Sequence, residues 1–201
     1  MTLNREAYLQ ALTDKLRPVF EVAGYPLRDT VHVSVGFPST RATAKNKRRI
    51  GECWPHVKSA DGNGHIFISP VLSDVGEVAA VLVHELIHDQ IGTEHGHKGP
   101  FKRAMKALGL EGKPTATHAG EALVKELKAL TDALGEYPHP ALTFDGKEKR
   151  QTTRQIKCAC GACGYVARVA RKWLEVGAPM CPTHKKPMSI DAQGVRKAGR
   201  E

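Results

Sequence analysis

A chain of 201 residues with 41% hydrophobic residues is too apolar to stay disordered, and it is long enough for one substantial core plus a small satellite module. The net charge of +9 is unevenly spread: residues 1–145 carry 17 Lys+Arg against 17 Asp+Glu, whereas residues 146–201 carry 13 against 4. The N-terminal residues lack the apolar stretch of a signal peptide and no apolar run approaches bilayer length, which argues against membrane functions and for a cytoplasmic protein.

From Asn4 to Ala23 the residues Leu9, Leu12, Leu16, Val19, Phe20 and Val22 recur at helical spacing, and Gly24 with Pro26 marks the stop. Val31 to Val35 alternates as a half-buried strand, Ile50 to Trp54 reads as a second, and His65 to Ser69 as a third, entered through the turn-rich Asp61-Gly62-Asn63-Gly64. Three short strands with tight turns predict a small antiparallel sheet. The basic stretch Arg41 to Arg49 between the first two reads as a loop. Next, Asp74 caps a helix, Glu77 completes a capping box, and apolar residues fill Val78 to Ile91 before Gly92 closes it. Two further helices are predicted, from Pro100 to Leu108 and from Thr117 to Leu134, before the Pro138-His139-Pro140 break.

Residues 145–155 contain no apolar side chain and mark a boundary. The expected organisation is an α+β domain over residues 1–145, a linker over 146–155, a small β module over 156–190 and a basic tail over 191–201.

Within the second predicted helix stands His84-Glu85-Leu86-Ile87-His88. Four residues is close to one helical turn, so His84 and His88 leave the same face and can share one ion, while Glu85 is offset by about 100° yet within reach of a water beside that ion. Catalytic zinc usually takes three protein ligands, so a third is sought downstream. His97, His95 and Glu94 are the candidates; His97 is preferred because its neighbouring glycines allow the chain to turn back. The implied chemistry is amide hydrolysis, with Glu85 taking a proton from the attacking water and returning it to the leaving amine. Tyr25, His95 and His118 are available to steady an oxyanion, and none is assigned. Cys53, alone on a predicted strand, reads as a core residue.

The run His84-Glu-Leu-Ile-His88 followed by Gly96-His97-Lys-Gly-Pro-Phe101 resembles the SprT-like family, which includes Spartan-type proteases that digest proteins crosslinked to DNA. The likeness extends in tone from about Ile50 to Pro140, including Gly51-Glu-Cys-Trp54 and Ile66-Phe-Ile-Ser-Pro70, and the chain resembles bacterial and phage members. In that family the third zinc ligand is the histidine four residues before a phenylalanine, a pattern that His97 and Phe101 fit. Family members place Gly-Pro-Glu directly after that histidine, where this chain has Lys98-Gly99-Pro100. The resemblance implies a zincin-like domain and a zinc metalloprotease.

In the basic C-terminal segment, Cys160-Gly-Ala-Cys163 and Cys181-Pro-Thr-His184 have the spacing of a zinc ribbon, two knuckles closing on one structural Zn²⁺. Cys158 is left out, because a knuckle needs two intervening residues and a following residue tolerant of left-handed geometry, which Cys163-Gly164 supplies. Between the knuckles, Tyr165 to Trp173 mixes strand formers, three cations and two aromatics. The aromatics serve either as bases for nucleic-acid stacking or as the ribbon's miniature core. The basic excess favours nucleic acid or another polyanion as partner, against the plainer reading of a solvated tail, and the resemblance implies that this partner is DNA. Two rival readings remain: a non-catalytic DNA-binding scaffold, and a protease whose ribbon docks a dedicated protein substrate.

Overall fold

The computed structural model of the chain describes residues 3–46, 48–143 and 155–190. The chain divides into two compact units, Met1–Phe144 and Asp145–Glu201. Of the predicted linker only Gln155 is described, and the predicted tail 191–201 lies outside the described residues.

In the first unit Asn4 accepts the Ala7 N–H at 2.8 Å and so opens helix α1, Arg5–Val22. Tyr8, Leu9, Leu12, Leu16 and Phe20 line its buried face, as their three- and four-residue spacing requires. Strands β1 (Val31–Val35), β2 (Gly51–Trp54) and β3 (Gly64–Ile68) follow, then α2 (Val75–Ile91), α3 (Gly99–Ala107), a hairpin of β4 (Leu110–Lys113) and β5 (Ala116–Ala119), and α4 (Glu121–Asp132).

The sheet is mixed, which corrects the antiparallel expectation. Its order is β1-β3-β2, with β3 antiparallel to β2 but parallel to β1. Period-two alternation marks a strand without encoding its direction, and the segment from residue 36 to 63 is long enough for the crossover that a parallel pair needs. The predicted Thr117–Leu134 helix is likewise shortened. Ala116-Thr-His-Ala119 pairs with Leu110–Lys113, so tertiary pairing overrides its helical propensity, and α4 starts only after Gly120.

Helix α2 is the hub of this unit, touching β2, β3, α3, α4 and β5. Asp74 caps it by accepting the Glu77 N–H at 2.7 Å. Val78, Ala79, Leu82, Val83, Leu86 and Ile87 are buried, each large aliphatic contributing about 1.5–3 kcal/mol by burial. A helix enclosed on nearly all sides holds its polar residues in fixed positions, and α2 carries both histidines and the glutamate of the motif.

The second unit is a three-stranded antiparallel sheet of order β7-β6-β8, formed by β6 (Ile156–Ala159), β7 (Val166–Val169) and β8 (Ser189–Ile190), with a single-turn helix α5 (Arg171–Leu174). Among the described residues its core cluster is Cys158, Cys160, Cys181 and Met188, with Ala167, Val169 and Leu174 packed on them, and Ile156 is also buried. So small a core falls well short of stabilising a fold without a staple. The chain is therefore α+β. Among the described residues no helix is long and apolar enough to cross a membrane.

Candidate metal centres

The first centre is assembled on α2. His84 and His88 lie one turn apart with ring centroids 5.1 Å from each other. After α2 the chain makes a single 3₁₀ turn at Thr93–His95 and reverses at Gly96, whose φ of 50° and ψ of −134° suit glycine alone. That reversal brings His97 Nε2 to 3.2 Å from both His84 Nε2 and His88 Nε2. His95 is half exposed and lies 3.7 Å from Glu94, and neither joins the group.

Helix α3 supplies the floor. Phe101 is fully buried and its ring meets all three imidazoles, at 4.8 Å for His84, 4.5 Å for His88 and 4.9 Å for His97. Thr117 on β5 holds the first ring from behind, its Oγ1 lying 2.7 Å from His84 Nδ1. An Nδ1–H donated to Thr117 leaves the His84 Nε2 lone pair facing the cluster.

The donor set is suited to a cation. One sp² nitrogen, His97 Nε2, faces two others, and a single lone pair or proton cannot make two good hydrogen bonds there. With metal–nitrogen bonds near 2.05 Å the edge of a tetrahedral site is about 3.3 Å, close to the separations found. Burial, with the neighbouring His97, lowers the His84 pKa to about 4. Burial, with both neighbouring histidines, lowers that of His88 to about 3. The imidazoles are thus held neutral, the form that ligates metal.

Glu85 is 7% exposed and faces β2. Burial raises its carboxyl to about 8, opposed by the positive charge of Arg49 and by the Cys53 backbone N–H donated to it. Arg49 is itself anchored by Glu52 at 2.7 Å, and Glu52 is held by the N–H and hydroxyl of Ser39, both at 2.7 Å. Cys53 packs half-buried against the core, with its thiol pushed up chiefly by burial, which makes it an inert core residue.

Gly51 lies tight against Glu85. A Cβ there would stand 2.5 Å from Glu85 Oε1 and 2.7 Å from Val81 Cγ1. Gly51→Ala is expected to displace the carboxylate and to cost about 1–3 kcal/mol in overpacking, read as a lower Tm with metal content unchanged. Thr117→Val, which removes the partner of His84 Nδ1 but keeps the side chain's size, is expected to weaken metal binding at this centre by about 10–100-fold in competition with a chelator. Sequence reasoning missed Arg49, Gly51 and Thr117. Only the basic character of the loop ending at Arg49 signalled any of them.

The second centre lies in the other unit. Cys160, Cys163, Cys181 and His184 bring their donor atoms together: Cys163 Sγ is 3.7 Å from Cys181 Sγ, and His184 Nδ1 is 3.7 Å from the sulfurs of Cys160 and Cys181. A tetrahedral site with metal–sulfur bonds of 2.3 Å has S···S edges of about 3.8 Å and S···N edges of about 3.6 Å, so these four residues can hold a metal ion. The His184 and Thr183 backbone N–H groups draw the Cys181 thiol down to about 7, towards the thiolate that binds metal. Cys158 stays outside the cluster, fully buried in the small core.

Tyr165 is 48% exposed and Trp173 57% exposed, so neither forms the core of this unit, whereas Val169 does pack on it. Lys157 and Arg168 stand directly opposite each other on β6 and β7. Like charges in register are unfavourable for a sheet, and the fold offers no reason for them. Comparison of the chain with family models, curated proteins and solved structures returns no match.

Proposed function

We propose that the chain is a zinc-dependent endopeptidase of the SprT-like kind that acts on proteins associated with DNA, in a reducing compartment such as the cytoplasm. The observation that carries this reading is the convergence of His84, His88 and His97 Nε2, two of them on the same helix as the buried Glu85. A site that only held metal for structure would have no use for a buried acid next to its ligand, because burying a carboxylate is costly unless it works.

A zinc ion held by the three histidines supplies Lewis acidity, acidifying water and polarising an acyl oxygen. Glu85 is the base: its carboxylate, oriented by the Cys53 N–H and shielded by β2, takes the proton of the attacking water and passes it to the departing amine. Phe101 and Thr117 fix the imidazole planes, so that little reorganisation is needed during the reaction. Arg49 places a positive charge near Glu85, His88 and His97, which opposes the rise that burial imposes on the carboxyl.

The second unit is read as a zinc ribbon that binds the DNA backbone. The opposed cations Lys157 and Arg168, with exposed Tyr165 and Trp173 for stacking, support this. The test is cleavage of a DNA-binding protein by the zinc-loaded full chain, with and without DNA. Wild type is expected to cleave faster with DNA, and Lys157→Ala/Arg168→Ala is expected to lose that stimulation and to bind DNA with a shallower salt dependence. Stimulation unaltered by this double substitution and by deletion of residues 145–201 contradicts the role given to the ribbon. No cleavage under either condition contradicts the protease.

A further inference from the structure

A third group of metal-ligating side chains lies on the face of the β1-β3-β2 sheet opposite α2. Val31, Val33, Gly64, Ile66 and Ile68 point into the core, so the alternating His32 and His65 point outward. Parallel pairing of β1 with β3 sets these two residues in register, with ring centroids 4.7 Å apart. The loop leading into β3 brings Asp61 over them: its Oδ2 lies 2.7 Å from His32 Nε2.

The two oxygens of Asp61 have separate roles. Oδ1 accepts from the Ser59 hydroxyl and, at 3.0 Å, from the Asn63 N–H. That fixes the carboxylate plane and leaves Oδ2 turned to the histidines. Such outer hydrogen bonds are what hold a ligating carboxylate in place. Ser59 Oγ also sits 3.0 Å from His65 Nε2, bridging the third donor to the same loop.

We propose that His32, Asp61 and His65 form an additional binding site for a divalent transition metal, zinc being the natural occupant. Their donor atoms lie within 4.8 Å of one another, so with tetrahedral edges of about 3.3 Å the widest pair has at most about 1.5 Å to close. His32 and Asp61 are each nearly half exposed, so that adjustment is a side-chain rotation, and water fills the remaining positions. Two imidazoles and one carboxylate select zinc, nickel, copper or ferrous iron over magnesium and calcium, which prefer oxygen alone. The site joins β1, β3 and the 59–63 loop, so a bound ion would pin that loop to the sheet. It uses no residue of the two centres described above and is independent of the proteolytic reading.

The test is equilibrium dialysis of the full chain against chelator-buffered zinc, with metal counted by mass spectrometry. Wild type is expected to take up one zinc more than Asp61→Asn or His32→Ala, each of which keeps the ions of the other two centres. A parallel measurement needs no variant: once two equivalents are bound, further zinc should shift the imidazole resonances of His32 and His65. Equal zinc uptake by wild type and both variants, or unmoved resonances for these two rings, overturns the proposal.

Discussion

Glu85→Gln is expected to leave zinc content and fold intact while lowering the rate of peptide cleavage by about 10²–10⁴-fold, the range attributable to a lost general base. Glutamine keeps the length and planar shape of the side chain, so the close approach to Gly51 is preserved and only the proton acceptor is lost. The three imidazoles do not depend on Glu85, since they are held by Phe101, Thr117 and the turn at Gly96. A fall in kcat with metal stoichiometry unchanged separates a catalytic group from a structural one. Unchanged cleavage by the variant would remove Glu85 from the mechanism.

Cys181→Ser is expected to unfold the second unit alone. Its described core cluster has four buried side chains, of which Cys160 and Cys181 also belong to the proposed metal centre. A structural zinc ion contributes on the order of 10–16 kcal/mol to a module of this type, far more than burial of Met188 and Cys158 supplies. The first unit has its own core, built on α1, α2 and the mixed sheet, and should be unaffected. Amide resonances of residues 155–190 should collapse towards random-coil positions, while those of residues 3–143 keep their dispersion. Chelation should produce the same collapse in wild type, and retained dispersion after complete metal removal would show that the unit needs no staple.

Local chemistry made much of this legible from the residues alone. Asp74 acts as a cap where the sequence places it, and the spacing of Leu9, Leu12 and Leu16 identifies the buried face of α1. The HExxH spacing forces His84 and His88 together whatever surrounds them, and glycine at 96 permits the reversal that delivers His97. What was missed depends on pairing between distant segments. The parallel partnership of β1 with β3, the β4–β5 hairpin and the contact of Thr117 with His84 are set by the tertiary fold and leave no periodic trace. Gly51 gave no warning for the same reason: its lack of a side chain matters only because Glu85 arrives there from α2. Exposure of Tyr165 and Trp173 was equally hidden, since an aromatic residue beside a strand serves a core or a binding face with the same local sequence.

The central claim, that His84, His88 and His97 hold a catalytic zinc, is tested most directly by stripping the full chain of metal and returning zinc stepwise while cleavage is followed. The stripped chain is expected to be inactive and to recover in proportion to zinc bound by the three histidines, with His97→Ala failing to recover. Full activity without metal, or a chain fully loaded at both centres that cleaves no protein with or without DNA, would contradict it.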